Sequence, residues 1–193
     1  DDRVVTQPTG IVRDWLDLQR ARSNAILVGA ASARRQRGQL SVSLPGLQAR
    51  TPLRIVLSGS EGVDRSLNLV GDFSGYRTAV IAETTVPVEA PVSVEVIRIA
   101  GSQGRPNLAA SLAALAEKGI QNLLVEPGPR LSTVLLQAGL VDCFGLVTSA
   151  EGTDGPPASD NGKVAELIAA AGLVETERQT HGSETLIFYR RPA

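Results

Sequence analysis

The chain has 193 residues, of which 42% are hydrophobic and 20% charged, and its formal net charge is −1. This composition is typical of one globular domain, and the near-neutral charge argues against a nucleic-acid partner. No apolar run reaches the roughly 18 residues of a membrane span, and no signal-peptide pattern opens the chain. The single cysteine, Cys143, excludes an internal disulfide and favours a reducing compartment. We therefore expect one cytoplasmic domain over residues 1–193 with no membrane partner.

An amphipathic helix is predicted over residues 9–22, with Thr9 as its cap. Trp15 falls on the apolar stripe of this helix, which favours a core residue over a ligand platform. Arg20 lies in the last turn, where a solvated cation suits the helix dipole.

Short apolar runs then predict the strands of a parallel sheet. The first is Ala25-Ile26-Leu27-Val28-Gly29, and a turn of small residues over 29–32 follows it. Residues 34–37 hold three arginines, which either offer a phosphate-binding edge or form a solvated loop. Leu40 opens an apolar–polar alternation to residue 44, which predicts a half-buried strand.

The middle of the chain continues with strands predicted over residues 52–58, 77–82 and 92–99. Asn107 caps a helix that Gly119 ends. Because this helix lies between apolar strands, residues 94–125 are predicted to form a right-handed crossover between parallel strands.

The most informative stretch is residues 122–142. Leu123-Leu124-Val125 predicts a buried strand covered on both faces, and Pro127-Gly128-Pro129 then turns the chain. Pro129 suits the first position of a helix, since its missing N–H costs nothing there. The apolar face of that helix is predicted from its periodicity to hold Leu131, Val134, Leu135 and Ala138, and Gly139 ends it.

A strand, a glycine turn and a helix in succession leave free backbone N–H groups, which makes a ready anion site. Ser132 and Thr133 add hydroxyl donors in the first helical turn. The same pattern is equally that of a plain β-turn-α connection. The turn is not a phosphate-binding Walker loop, because no Gly-Lys-Ser/Thr follows.

The C-terminal part predicts a strand over 144–148, a polar loop over 150–162 and a helix that Gly172 ends. Two strands, 173–179 and 185–190, flank a turn that includes His181. His181 has no second histidine or cysteine near it in sequence, so a turn residue is a better interpretation than a metal ligand. The chain also lacks the Cys/His cluster of a zinc deaminase and the Gly-x-Ser-x-Gly of a nucleophile elbow.

Two segments carry a resemblance to a known family. Leu-Leu-Val-Glu-Pro-Gly-Pro-Arg-Leu, followed by Leu-Leu-Gln-Ala-Gly-Leu-Val-Asp, resembles the NADPH phosphate-binding segment of the riboflavin-biosynthesis reductase domain. Ala-Ile-Leu-Val-Gly resembles a strand of the same family. The resemblance implies a dihydrofolate-reductase-like α/β fold, with a mostly parallel central sheet, helices on both faces and a C-terminal antiparallel hairpin.

The resemblance also implies roles for individual residues. It places the cofactor against residues listed here in chain order: Ser32, Gly59, Gly128, Pro129, Arg130, Leu131, Ser132, Thr133 and Val134. It places the substrate against Arg20, Leu40 and Glu126. Glu126 would orient sugar hydroxyls or, alternatively, only satisfy local N–H groups, and Gly128 would lie against a pyrophosphate or only supply a positive φ.

Three departures from the family pattern stand beside these matches. The motif of the family's first strand is missing from residues 1–8, which predicts an incomplete first strand, and Gln36 replaces an aspartate associated with the cofactor. Ser43 replaces a second arginine that contacts substrate. The absence of any methionine suggests that a leading segment is missing from this sequence.

The function that the resemblance implies is NADPH-dependent reduction of the ribosyl group of 5-amino-6-(5-phosphoribosylamino)uracil to ribityl. The cofactor carries the hydride chemistry, and the protein supplies positioning. We expect NADPH over NADH, because Arg130 and the arginines of residues 34–37 can meet a 2′-phosphate. A homodimer is also expected. The alternatives are a reductase-like dimeric module that has lost catalysis, and a reductase of the same fold that acts on another small molecule.

Overall fold

The computed structural model describes residues 10–35, 39–71, 75–149 and 158–192. The helices are α1 (Gly10–Arg22), α2 (Ala30–Arg35), α3 (Asn68–Gly71), α4 (Leu108–Glu117), α5 (Pro129–Gln137) and α6 (Ala158–Ala170). The strands are β1 (Ala25–Gly29), β2 (Leu53–Leu57), β3 (Thr78–Glu83), β4 (Glu95–Ile99), β5 (Gly101–Ser102), β6 (Arg105–Pro106), β7 (Leu123–Val125), β8 (Cys143–Ser149), β9 (Val174–His181) and β10 (Glu184–Arg190).

These helices and strands belong to two compact units. One contains the described residues of 16–128, and the other contains those of 1–15 and 129–193. That residues 1–193 form one domain stays a prediction. The α/β class, with a parallel sheet and a C-terminal antiparallel hairpin, is confirmed.

The unit of residues 16–128 is built on a five-stranded sheet in the order β4-β3-β2-β1-β7, in which every pair is parallel. Val28 pairs with Val56, and Val56 pairs with Val80, so these side chains share one face. That face packs on small and aliphatic residues of α2 and α3. Ile55 and Ile81, on the opposite face, are also fully buried. The apolar runs of β1 to β3 are therefore continuous because both sides of these strands are covered.

The helix over 108–117 begins and ends as its sequence predicts. Asn107 Oδ1 accepts a hydrogen bond from the Ala110 backbone N–H at 2.9 Å. Gly119 follows the helix with a φ of +83°, which a residue with a Cβ adopts at a cost. The predicted turn over 29–32 is wrong, however, because α2 begins directly at Ala30.

The predicted strand over residues 40–44 is also wrong. Leu40 and Val42 are buried as the alternation suggests, but this segment is irregular and Leu40 has a φ of +50°. Its backbone groups bond to side chains instead of to a neighbouring strand. The Val42 N–H donates to Thr51 Oγ1 at 3.0 Å, and the Ser41 carbonyl accepts from Arg20 Nη1 at 3.0 Å. Alternating burial alone does not make a strand when side chains satisfy the backbone.

The strand of residues 123–125 exists but does not lie at the centre of the sheet. In the sheet that the structure describes, β7 pairs with β1 alone, and its three residues are only half-buried. The prediction of a strand covered on both faces is therefore wrong. A run of three apolar residues is too short to separate an edge strand from a central one.

The other unit contains a three-stranded antiparallel sheet in the order β8-β10-β9. Its strands β9 and β10 run further than predicted, so that His181 pairs with Glu184 and only two residues remain in the turn. Trp15 packs edge-on against Phe188 with ring centroids 5.4 Å apart, which agrees with a core role. Gly182, in the turn, has a φ of +60°.

Helices α5 and α6 pack together in this unit around Leu136 and Ile168. Pro129 is the first residue of α5 and Gly139 follows it with a φ of +66°, as predicted. The predicted apolar face is correct at Leu135, which is buried, but Leu136 is buried as well while Val134 is 48% exposed.

Helix α6 begins at Ala158, so the predicted loop over 150–162 is too long. The predictions for Thr9, Gln36, Arg37 and the first strand lie outside the described residues. Among the described residues, no helix is long and apolar enough to cross a membrane.

Candidate functional site

Several predicted site residues of the larger unit follow strands of its parallel sheet. Chain order runs from β1 outward through β2 to β4, whereas β7 returns to the other side of β1. The sheet therefore changes its winding direction between β1 and β7. In open parallel sheets, ligands bind outside the carboxyl ends of the strands at such a point. Ser32 follows β1 there, and Glu126 and Gly128 follow β7.

Ser32 and Gly128 approach each other closely at this edge. A Cβ built on Gly128 would lie 2.5 Å from Ser32 Oγ, which is closer than real Cβ contacts. Gly128 has no positive φ, so the alternative that glycine only serves a left-handed turn is wrong. Glycine is needed because a side chain at 128 would displace the Ser32 hydroxyl. The pair places a hydroxyl against the backbone of a glycine, and hydroxyl and backbone N–H groups are the kind of donors that bind a phosphate group.

Arg20 and Glu126, which the resemblance places on the substrate side, bind each other. Arg20 Nε donates to Glu126 Oε1 at 2.7 Å, and Nη2 donates to Oε2 at 2.8 Å. The two side chains are 15% and 13% exposed. Arg20 is therefore no solvated last-turn cation, and Glu126 accepts two charge-assisted bonds from a side chain rather than bonds from local N–H groups alone.

Asp17 completes this cluster from within the same helix as Arg20. Its side chain is 3% exposed and its Oδ1 accepts from Arg20 Nη1 at 3.2 Å. Oδ2 accepts from the Ser43 backbone N–H at 2.8 Å and from the Ser43 hydroxyl. Arg20 Nη1 also donates to the Ser41 carbonyl at 3.0 Å. One guanidinium and two carboxylates give the cluster of Asp17, Arg20 and Glu126 a net charge of −1.

The protonation of the cluster follows from these contacts. Burial alone would raise the pKa of Asp17, but the hydrogen bonds from Ser43 and the charge of Arg20 outweigh it and lower that pKa. Burial would lower the pKa of Arg20, but the bonds and charge of Glu126 outweigh it and raise that pKa. Asp17 and Arg20 are therefore both charged near neutral pH.

The remaining predicted residues of this unit are placed as follows. Gly59 comes two residues after β2, and a Cβ there would meet no atom within 4 Å. Leu40 is only 4% exposed and packs in the hydrophobic core cluster that includes Val28 and Val56. Arg34 donates to Glu61 Oε2 at 3.1 Å and to the Gly62 carbonyl at 2.8 Å, so its guanidinium is engaged within the protein.

The first turn of α5 belongs to the other unit and carries the rest of the predicted cofactor residues. Pro129 and Arg130 are exposed, and Leu131 and Ser132 are half-buried. Thr133 Oγ1 donates to the Pro129 carbonyl at 3.0 Å, so this hydroxyl proton bonds within the helix. The role of these residues toward a cofactor stays a prediction.

Three contributors were missed from sequence. Asp17 stands three residues before Arg20, a spacing at which opposite charges meet on a helix, and that signal was available. The Ser41 carbonyl and the buried Arg54, which anchors the Gln39 carbonyl, gave no local signal. Among the described residues, no group of three or more His, Cys, Asp or Glu is arranged to hold a metal ion.

Comparisons with solved structures agree on the fold. The deaminase/reductase of Thermotoga maritima, described as a 5-amino-6-(5-phosphoribosylamino)uracil reductase, is similar with a TM-score of 0.68 and 21% identity over 97% of this chain and 50% of its own. A pyrimidine reductase-like protein of Corynebacterium diphtheriae is similar with a TM-score of 0.67 and 21% identity, over 95% of this chain and 82% of its own. The riboflavin biosynthesis reductase Rib7 of Saccharomyces cerevisiae is similar with a TM-score of 0.60 and 16% identity, over 94% of this chain and 81% of its own.

The chain thus spans half the length of the Thermotoga protein, and at these identities the likeness shows the fold alone. A search among curated proteins found no match. A family model described as the RibD C-terminal domain matches residues 2–150. Since this match covers well over half of the sequence, the chain belongs to the family of RibD C-terminal domains.

Proposed function

We propose that the chain is an NADPH-dependent reductase of riboflavin biosynthesis that reduces the ribosyl group of 5-amino-6-(5-phosphoribosylamino)uracil to ribityl. Its membership of the RibD C-terminal domain family supports a role in this pathway. The proposal includes a homodimer, as the resemblance implies, and a cytoplasmic location, which the single cysteine favours.

The observation that carries the proposal is the contact between Ser32 and Gly128. The space beside Gly128 that a Cβ would fill holds the Ser32 hydroxyl, at the sheet edge where the winding direction changes. A hydroxyl beside a glycine at this edge of the sheet suits a dinucleotide phosphate, so the residues fit the cofactor. Gly59, which follows the neighbouring strand with open space around it, would let the cofactor approach the backbone.

NADPH supplies the hydride when it is bound. Glu126 would orient the ribosyl hydroxyls of the substrate, because its ionised carboxylate retains acceptor capacity beyond the two bonds from Arg20. Arg20 would hold that carboxylate in one orientation. Leu40, which the resemblance places on the substrate side, is 4% exposed and would contribute through its packing in the core.

The test is a double-mutant cycle on Ser32 and Gly128, with NADPH binding followed by cofactor fluorescence. Ser32→Ala and Gly128→Ala should each weaken NADPH binding by roughly 1.5 kcal/mol, the strength of one hydrogen bond to a charged group. The double variant should lose no more than Ser32→Ala alone, because Gly128→Ala acts by displacing the same hydroxyl. Thr176→Ala, an exposed hydroxyl in β9, is the control.

Unchanged NADPH affinity in both single variants would overturn the cofactor site. The observation that favours the alternative, a module without this catalysis, is that the Ser43 hydroxyl and the Arg20 guanidinium both bond to carboxylates. Such a module would show no NADPH oxidation with the pyrimidine substrate even if it bound the cofactor.

A further inference from the structure

Asp17 is more buried, and makes more hydrogen bonds, than a charged residue on the surface of a helix needs to. The residue is 2% exposed, although it lies on a helix whose neighbouring residues are at least partly exposed. Its two carboxylate oxygens face different directions. Oδ1 accepts from Arg20, while Oδ2 accepts from the backbone and the hydroxyl of Ser43.

The guanidinium of Arg20 likewise bonds to different partners on its two sides. Nε and Nη2 face Glu126, and Nη1 faces Asp17 and the Ser41 carbonyl. A planar guanidinium cannot rotate one edge without moving the other. The orientation of Glu126 is therefore coupled to the contacts of Asp17, although these two carboxylates share no hydrogen bond among those described.

We propose that Asp17 is a positioning residue for the substrate side of this site: through Arg20 it fixes the carboxylate of Glu126 before a substrate arrives. The inference rests on the proposed function for what Glu126 binds. Ser43 has a part in it, because its two bonds to Oδ2 set the Asp17 carboxylate against the segment of residues 41–43. Preorganisation of this kind lowers the cost of ordering a binding group when the ligand arrives.

Asp17→Asn is the decisive change, since it keeps the shape and removes one of the two acceptors. An amide has one acceptor oxygen, and Ser43 would retain it with two hydrogen bonds. The amide NH2 would then face Arg20 Nη1, so that two donors oppose each other. Asp14→Asn is the matched control, because Asp14 lies three residues earlier on the same helix and is exposed.

The first measurement needs no ligand. Solvent exchange of the Arg20 Nε–H, followed by NMR, should be slow in the wild type because this group donates to Glu126 at 2.7 Å in a part-buried site. In Asp17→Asn the exchange should rise by about tenfold or more, as expected for the loss of a charge-assisted bond. Asp14→Asn should exchange at the wild-type rate.

The second measurement separates positioning from a general loss of structure. With NADPH and 5-amino-6-(5-phosphoribosylamino)uracil as the probes, Asp17→Asn should raise the substrate KM by about tenfold, while the NADPH Kd stays within about twofold. If Asp17→Asn does not fold, Ser43→Ala retains the Asp17 charge and removes one bond from Oδ2. It should raise the Arg20 exchange by a smaller factor, about threefold.

An Arg20 exchange rate that Asp17→Asn leaves at the wild-type value would overturn the inference. An NADPH Kd that weakens as much as the substrate KM would overturn it as well, because that pattern indicates a structural effect. Wild-type protein that shows no reductase activity would refute the proposed function, and the exchange measurement would still decide whether Asp17 positions Glu126.

Discussion

Two arginine–glutamate pairs in this molecule share one geometry and differ in burial. Arg20 binds Glu126 through Nε and Nη2 at 2.7 and 2.8 Å, and Arg178 binds Glu175 through the same two atoms at 2.9 and 2.7 Å. The side chains of the first pair are 15% and 13% exposed, against 52% and 41% for the second. Geometry alone therefore does not distinguish a part-buried pair from an exposed one.

Their surroundings explain the difference. Arg178 and Glu175 lie three residues apart on the exposed strand β9, where water competes for every donor. Arg20 and Glu126 are 106 residues apart in sequence. Arg20 also donates hydrogen bonds to Asp17 and to the Ser41 carbonyl. The fold brings this pair together at the sheet edge, so that it links a helix to the end of β7.

The largest expected effect is on stability. Arg20→Ala leaves two part-buried carboxylates, Asp17 and Glu126, without the cation between them. The free energy of unfolding should fall by about 3 kcal/mol, the cost of breaking a buried pair by removing one partner. Arg178→Ala should leave the urea unfolding midpoint close to that of the wild type. Equal losses in the two variants would show that burial does not separate the pairs.

A smaller effect is expected in the pH dependence of stability. The pKa of Asp17 lies below its ordinary value of 3.8 in the folded protein. The ionised carboxylate therefore contributes stability that is complete above the unfolded pKa and is lost as the pH falls through the folded pKa. The difference in unfolding free energy between the wild type and Asp17→Asn should be constant near pH 7 and shrink below about pH 4.

Glu175→Gln is the comparison for that titration. The pKa of Glu175 is also lowered, by the hydrogen bond from Arg178, but the group is exposed. Its pH-dependent contribution should have the same sign and a smaller amplitude, since water screens the pair. Chemical denaturation between pH 7 and pH 3 measures both differences, and a larger amplitude for Glu175→Gln would contradict the ranking.

The smallest expected effect is that of salt. Raising the ionic strength from about 0.1 M to about 1 M shortens the Debye length from about 10 Å to about 3 Å. The destabilisation by Arg20→Ala should persist at the higher salt concentration, because its partners are part-buried. Any destabilisation by Arg178→Ala should vanish. A loss of the Arg20 effect in high salt would place that pair in an aqueous environment.

Much of the fold followed from local patterns, and the errors have physical causes. Asn107 and Gly119 marked the ends of α4, and Pro129 and Gly139 marked those of α5, because caps and φ preferences act within a few residues. The strand predicted over residues 40–44 was wrong, since side chains from other parts of the chain bond to its backbone. The sequence of β7 showed a strand but not its place at the sheet edge, which pairing partners decide.

The site shows the same division. The resemblance singled out Arg20, Ser32, Glu126 and Gly128 one by one, and their roles toward a ligand stay predictions. That Arg20 binds Glu126, and that Gly128 faces the Ser32 hydroxyl, are contacts across 106 and 96 positions of sequence. No local pattern carries such contacts.

The sequence by itself determined where α4 and α5 begin and end, that the apolar runs of β1, β2, β3 and β7 are strands, and which residue types are available for chemistry. These depend on propensity, capping and periodicity, which act over a few residues. Only the tertiary structure decided that Asp17 is buried, that it shares Arg20 with Glu126, and that the pair Arg178–Glu175 is left in water. Burial and charge pairing depend on which strands and helices pack together, and that packing is fixed only in the folded protein.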